Sequence, residues 1–411
     1  VKEKEILLVT ISGEDKPGQT LAMTNILSKH NATILDIGQA VIHNNLTLGI
    51  VFMADNSVET SAILKDLLFK SYELGVSAKF KPIQAEEYEE WVTEQGKKRY
   101  IVTVVGRHIT AHHLASVTSI IKEQGLNIDR ITRLTGRISI LHEEDTENKR
   151  ACVEMSVRGN PENVEKMKLD FLNVSKNIGI DIAFQFDNAF RRNRRLVCFD
   201  MDSTLIQTEV IVELARYANA EAQVSEITEA AMRGEIDFKE SFRQRIALLK
   251  GIDEGVLHEI ARNLPITEGA QRLINNLKRY GYKTAILSGG FTYFGRYLQT
   301  LLGIDYVYAN ELEIENGRLT GNYIGEIVDG QMKAELLKKL AFKEDIHLEQ
   351  VIAVGDGAND LPMINIAGLG IAYHAKPIVR ENAGHAISTV GLDSILYLVG
   401  FRDREIDLKI K

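Results

Sequence analysis

Three features of this 411-residue chain predict an α/β domain with a parallel sheet and an inserted helical cap, preceded by two small α+β modules. First, the N-terminal half repeats itself weakly, with strand-ending glycines (Gly13, Gly106) and strand aspartates (Asp36, Asp129) at the same offset in both copies. Second, beyond Leu196 unbroken apolar runs alternate with amphipathic helical stretches, the pattern of a parallel sheet covered on both faces. Third, between the first two of those runs lies a long segment, about 207–264, that reads as several helices and so stands outside the sheet.

Composition bounds the rest. Hydrophobic residues make up 45% of the chain and charged residues 26%, enough apolar side chains for sizeable cores, and the length argues for two or three domains. A formal net charge of −8 gives no general electrostatic case for nucleic acid. No run of about 18 apolar residues is present, and the first residues lack the apolar core of a signal peptide. Cys152 and Cys198 lie in apolar, strand-like stretches and read as buried thiols rather than a disulfide. These readings predict a soluble protein of a reducing, cytoplasmic setting with neither membrane nor nucleic-acid partners.

Taken in order, residues 1–88 and 98–186 each read strand, helix, strand, strand, helix, strand, which is the ferredoxin-like module. His112 and His113, at a helix start in the second copy, read as surface residues. "FDNAFRRNRRLV" follows, and its Arg191, Arg192, Arg194 and Arg195 read as a solvated linker. Residues 195–411 carry the strands "LVCFD", "KTAILSGG", "YVYANEL", "VIAVGDG" and "LGIAYHA". In "TEGAQRLINNLKRYG", Thr267 is positioned to cap a helix that Gly281 ends.

Ligands of such sheets bind beyond the carboxyl ends of the strands. There the sequence places Asp200 and Asp202, then Ser288, Gly289 and Gly290, then Asp356, Asn359 and Asp360. Converging carboxylates call for a cation, hard oxygen ligands suit Mg2+, and Mg2+ suits a phosphate substrate. The serine and glycines lie at a strand-to-helix junction, where free N–H groups attract an anion, and Lys333 begins another helix from which it could reach the same oxygens. At a strand end, residues i and i+2 point to one side, so one aspartate can attack phosphorus while the other protonates the leaving oxygen. In the inserted segment Phe238, Phe242, Arg245 and Leu249 share a helical stripe. An arginine within an apolar face wants a carboxylate, and Glu209 could receive an ammonium group. Together they describe a phosphorylated amino acid, although on spacing alone Arg245 and Glu209 read equally well as surface ion-pair residues.

"FDMDSTL", "ILSGG", Lys333 and "GDGANDLPM" resemble the motifs of the haloacid-dehalogenase superfamily of phosphatases, whose sheet is Rossmann-like. The resemblance implies Asp200 as nucleophile and Asp202 as general acid and base, with Ser288 and Lys333 on the phosphoryl oxygens. It implies Mg2+ held by Asp200, the backbone carbonyl of Asp202, and Asp356, with Asp360 supporting from nearby. The longer runs "FDMDSTLIQTEVIVELA", "AMRGEIDFKESFRQRIALLKG" and "VGDGANDLPMINIAGLGIAYHAKP" are similar to the phosphoserine phosphatase branch. That similarity implies Glu209 and Arg245 as readers of the amino and carboxyl groups of O-phosphoserine, Met232 and Phe238 as the apolar wall, and Gly289 and Asn359 as further contacts. It implies the last step of serine biosynthesis. Competing expectations are another small phosphate ester such as phosphohomoserine, or an amino-acid sensor with a vestigial catalytic half, against which the intact Asp200, Asp202, Lys333 and Asp356 argue.

The N-terminal repeat and "GEDKPGQTLAMTNIL" resemble the ACT domain, with Asp15, Pro17 and Gly18 in its loop before the first helix. The second copy, "GRHITAHHLA", lacks that proline and glycine. The resemblance implies an amino-acid effector, with the first copy the favoured site. It also implies a homodimer through edge-to-edge pairing of the small sheets.

Overall fold

The computed structural model describes residues 4–94, 96–137 and 150–406 and divides into two compact units, Val1–Lys97 and Lys98–Lys411. The first unit holds β1 (Glu5–Glu14), α1 (Gln19–Lys29), β2 (Thr33–Ile42), β3 (Asn45–Ala54), α2 (Ser57–Leu74) and β4 (Ser77–Ile83). Its antiparallel sheet has the order β2-β3-β1-β4. Alternation puts Leu7, Val9 and Ile11 of β1 and Leu46, Leu48, Ile50 and Phe52 of β3 on one face, where Met23, Leu27, Ile63 and Leu67 of the helices bury them. Asn56 caps α2, its side-chain oxygen accepting from the N–H groups of Val58 and Glu59. A further helix, α3 (Ala85–Glu94), follows, which the sequence reading does not foresee.

The second unit opens on the second copy: β5 (Arg99–Gly106), α4 (Ala111–Glu123), β6 (Asn127–Arg133), β7 (Ala151–Arg158), α5 (Val164–Ile178) and β8 (Asp181–Phe186). The order β6-β7-β5-β8 repeats the first sheet. Tyr100, Val102 and Val104 face the helices, but the alternate residues Ile101, Thr103 and Val105 are buried as well. Val105, Cys152 and Ala183 belong to the same apolar cluster as Val197 and Phe199 of the α/β domain. Polar contacts reinforce that seam. Asp181, 1% exposed, accepts from Ser388 N (2.8 Å), Thr389 N (2.9 Å) and Thr389 Oγ1 (2.6 Å). Arg107 donates to both carboxylate oxygens of Glu268.

Two polar readings are corrected by the structure. Of the four linker arginines, Arg191 pairs with Glu154 at 2.7 Å and Arg194 donates to backbone carbonyls at Glu349 and Val351, and both are buried rather than solvated. His113 is also buried, its Nδ1 accepting from Thr110 N in a reciprocal cap of α4, because Thr110 Oγ1 takes the His113 N–H.

The α/β domain begins with β9 (Leu196–Phe199), then the four cap helices α6 (Val210–Tyr217), α7 (Glu221–Met232), α8 (Phe238–Ala247) and α9 (Glu254–Arg262). It continues through α10 (Ala270–Arg279), β10 (Lys283–Phe291), α11 (Thr292–Leu302), β11 (Tyr306–Glu315), β12 (Arg318–Ile324) and α12 (Gly330–Lys343). Then come β13 (Val351–Gly355), α13 (Leu361–Ile366), β14 (Leu369–Tyr373), α14 (Pro377–Asn382) and β15 (Ala386–Ile387). The sheet order is β12-β11-β10-β9-β13-β14-β15. It is mixed rather than wholly parallel: β12 runs antiparallel to β11, joined by Asn316-Gly317, both at positive φ, a two-residue hairpin turn. Thr267 does not cap α10. Its hydroxyl has no partner, and Gly269, in the left-handed region at φ 79°, precedes the helix. The Thr267 N–H instead donates to Leu205 O (3.0 Å) and Gln207 N to Pro265 O (2.8 Å), tying together the chain entering and leaving the cap.

Candidate active site

Residues Leu196–Phe199 are wholly buried, so β9 delivers Asp200 to the carboxyl edge of the sheet at its centre. The Asp200 N–H donates to Val354 O (2.9 Å), extending the β9/β13 pairing by one residue and fixing where the carboxylate emerges. Its Oδ1 lies 2.8 Å from Lys333 Nζ, and the same ammonium donates to Asp360 Oδ1 at 2.6 Å. Lys333 has no exposed surface; burial alone would lower its pKa, but Asp200 and Asp360 outweigh burial and raise it, so it is held charged.

Asp360 is fully engaged, since its Oδ2 accepts from the N–H groups of Asp356 (3.1 Å) and Gly357 (2.9 Å). Asp356 takes a hydrogen bond from Thr204 Oγ1 (3.1 Å). Asp202 turns its Oδ1 toward the Val210 N–H (3.3 Å), at the start of α6, and so stands apart from the other three. Burial first, then Glu209 and Asp200, push the Asp202 carboxyl well above the usual carboxylate range, as suits a proton donor.

Beside this centre Ser203 Oγ donates to Glu209 Oε1 (3.1 Å). Desolvation and Asp200 raise the Glu209 pKa, although the residue remains exposed to solvent. Arg245, on α8, donates from Nε to Ser241 O (3.3 Å) and feels the charges of Glu209 and Asp202, which oppose the lowering of its pKa by burial. Gly290 shows why the loop after β10 needs glycine: a Cβ there would stand 2.6 Å from Asp202 Oδ2 and 2.8 Å from Met201 Cε. At Gly289 a Cβ would meet Phe238 of the cap at 3.2 Å, so the cap's aromatic ring sits on the loop. Ser288 Oγ accepts from Gly290 N (3.0 Å), closing the loop on itself.

Residues 197–365 match the family described as haloacid dehalogenase-like hydrolase, and residues 5–81 match the ACT domain family. Across 98% of its length the chain is 40% identical to a phosphoserine phosphatase of Streptomyces coelicolor, covering 93% of that protein. The chain belongs to the phosphoserine phosphatase family. It is also 36% identical, over 98% of its length and 95% of the relative, to the phosphoserine phosphatase SerB2 of Mycobacterium tuberculosis. A crystal structure of a probable phosphoserine phosphatase from Vibrio cholerae superposes with a TM-score of 0.57 at 32% identity, over 74% of this chain and 87% of that one.

Within this phosphoserine phosphatase fold, Asp200, Asp202, Glu209, Arg245, Lys333, Asp356 and Asp360 lie close together, and Phe238 meets Gly289. Asn359 lies against the start of α12, its carbonyl 2.6 Å from where a Cβ on Gly330 would stand. Met232 ends α7, and its side chain lies outside the described residues. Thr204 is a partner of Asp356 that the sequence reading does not name, and its hydroxyl two residues after Asp202 is the signal that points to it.

Asp200, Asp356 and Asp360 can each offer an oxygen within 4.8 Å of the others. An all-oxygen donor set of this kind fits Mg2+. Burial, Asp200, Asp360 and Glu209 push Asp356 up to about 8, and burial and Asp200 push Asp360 up to about 6 against the pull of Lys333. Folding without metal therefore makes these two carboxyls take up protons that the unfolded chain has released, and their contribution to stability falls as pH rises between about pH 4 and pH 8. The metal-free protein is expected to melt at lower temperature at pH 8 than at pH 5.5. The upward shift on adding Mg2+ should grow over the same range, because the cation relieves a repulsion that exists only once the carboxyls ionise. Thermal melts with and without Mg2+ check this, and a shift independent of pH would count against the cluster as the cation site.

Proposed function

We propose that this chain hydrolyses O-phosphoserine to serine and inorganic phosphate, with Mg2+ as cofactor and Asp200 as nucleophile. The observation that carries the proposal is Arg245: a half-buried guanidinium on an apolar helix face, with no ion pair among the described residues, close to Glu209 and to the Asp200–Lys333 centre. It has the chemistry of a carboxylate receptor, as Glu209 has that of an ammonium receptor.

Asp200 attacks phosphorus through a carboxylate oxygen, the bond from phosphorus to the seryl oxygen breaks, and Asp202 gives its proton to that oxygen. Water then attacks the aspartyl-phosphate. Asp202, now a carboxylate, takes a proton from the water, and the bond from phosphorus to Asp200 breaks to release phosphate. Lys333 and the Ser288–Gly290 loop hold the phosphoryl oxygens, with Asn359 as a further contact. Phe238 and Met232 wall the pocket and exclude water. Asp200, Asp356 and the Asp202 carbonyl would hold Mg2+, with Asp360 bracing them, and the bound cation would neutralise phosphoryl charge.

We assign residues 1–88 and 98–186 as ACT-like modules and 195–411 as the catalytic domain, in a cytoplasmic homodimer. An amino-acid effector binds the first module, where Asp15, Pro17 and Gly18 form the loop before α1.

Phosphate release from O-phosphoserine with Mg2+, set against phosphohomoserine and sugar phosphates, tests the activity. Equal turnover of all three would sink the specificity. Arg245→Ala is expected to raise KM for phosphoserine roughly tenfold to hundredfold, the loss of one charged hydrogen-bond pair, with a smaller change in kcat. Phenyl phosphate, which has no carboxylate, should be turned over as before. An equal loss with both esters would show that Arg245 serves the fold rather than the substrate.

A further inference from the structure

The loop that is to hold phosphate lies where the sheet's pairing breaks. β10 and β11 run in register from Ala285↔Tyr306 to Leu287↔Tyr308, and the next pair is Phe291↔Asn310. Between those two pairs β10 advances four residues while β11 advances two, so Ser288, Gly289 and Gly290 bulge out of the ladder. A carbonyl displaced in this way still needs a donor.

The side chain of Asn310 provides it. Nδ2 donates to Gly289 O at 2.8 Å, and Oδ1 accepts from Val328 N at 2.8 Å. The two partners fix the orientation of the amide, since a carbonyl can only accept and an N–H can only donate. Asn310 is 1% exposed, at the end of the run "YVYA". Val328 immediately precedes Asp329, whose side chain caps α12 through Met332 N, and α12 carries Lys333. One buried amide therefore ties the bulged loop to the segment that delivers the phosphate-binding lysine. The same Gly289 is packed between Phe238 of the cap and Val328 O, at 3.2 and 3.5 Å from a notional Cβ, so the peptide it belongs to has little freedom beyond what this amide sets.

We propose that Asn310 is a positioning residue: it fixes the Gly289 peptide, and with it the Ser288–Gly290 loop, against Lys333. The proposal rests on the phosphoserine phosphatase reading, which wild-type turnover of phosphoserine tests separately in the same assays. Asn310→Asp keeps the shape and the bond to Val328 N but sets an oxygen against Gly289 O. Asn310→Ser adds no charge and is too short to reach either partner, so it separates geometry from electrostatics.

For both variants we expect kcat/KM to fall roughly tenfold to hundredfold, with the inhibition constant for inorganic phosphate rising about tenfold, since phosphate alone senses the loop. Thr292→Val is the control. It removes the bond from Thr292 Oγ1, at the start of α11, to Ala309 O of β11 (3.0 Å), next to the same loop, and should leave phosphate inhibition unchanged even if the melting temperature drops. The proposal is overturned if either folded Asn310 variant keeps kcat/KM and phosphate inhibition within about twofold of wild type. It is equally overturned if Thr292→Val weakens phosphate inhibition as much as the Asn310 variants do. If Asn310→Asp fails to fold, Asn310→Ser is read alone against the same two criteria.

Discussion

Asp200→Asn is expected to reduce kcat for phosphoserine by roughly 10^4-fold or more while leaving the fold intact. The amide is nearly isosteric but cannot form the acyl phosphate. Its effect on stability should run the other way from its effect on catalysis. The Asp200 charge is among the causes that raise the pKa values of Asp202, Glu209, Asp356 and Asp360, so removing it relieves repulsion in four neighbours at once. Lys333 keeps Asp360 as a partner at 2.6 Å. The metal-free variant should therefore melt no lower than wild type at pH 8, and its stability should depend less on pH. Residual activity above a few per cent would displace Asp200 as nucleophile. A lower melting temperature at pH 8 would mean that the Asp200–Lys333 pair outweighs the repulsion among the carboxylates.

Lys333→Met has the largest expected effect on stability. Lys333 is wholly buried and bridges Asp200 and Asp360, and an apolar replacement leaves two carboxylates in the interior without a counter-charge. Breaking a buried pair from one side typically costs about 3–5 kcal/mol. The loss should be smaller at pH 5.5 than at pH 8, because Asp360, already pushed up to about 6, can take a proton at the lower pH. Adding Asp360→Asn to Lys333→Met should recover part of the loss. Urea unfolding of the metal-free proteins at the two pH values measures all three quantities. A single variant within about 1 kcal/mol of wild type at pH 8 would mean that the ammonium is not the counter-charge that the distances imply. Activity should be lost in both variants, since the lysine is also the proposed holder of the phosphoryl oxygens.

Much of this site was legible because its signals are local. An apolar run that stops at Asp200 announces both a buried strand and its carboxyl end, and the glycines at 289 and 290 announce a backbone with no room for a side chain. What escaped the sequence depends on neighbours far along the chain. Arg191 and Arg194 look like solvent-facing charge until Glu154 and the carbonyls of residues 349 and 351 close over them. The side chain of Asp202 turns to the Val210 N–H, a partner that spacing alone does not name. Thr267 satisfies the pattern of a helix cap, yet its backbone is held by Leu205 at the cap hinge and its hydroxyl is left over. The antiparallel β12 is a different case. Asn316-Gly317 is a strong hairpin signal and was present all along, but a chain read as alternating strands and helices left no place for it. Asn310 reads as one more strand residue until the register break gives its amide two distant partners.

The seam between the second small sheet and the catalytic domain changes how the chain can be taken apart. Val105, Cys152 and Ala183 are interior residues of a shared core, Ile101 and Thr103 are buried with them, and Asp181 is bonded from the far side of it. A truncation starting at residue 195 would lay open that apolar surface and strand the N–H groups of Ser388 and Thr389, inviting aggregation whatever the state of the catalytic centre. The severable joint is at Lys97/Lys98. For this chain the smallest stable catalytic unit is expected to be residues 98–411, the catalytic domain together with the second repeat, which serves it as a wall.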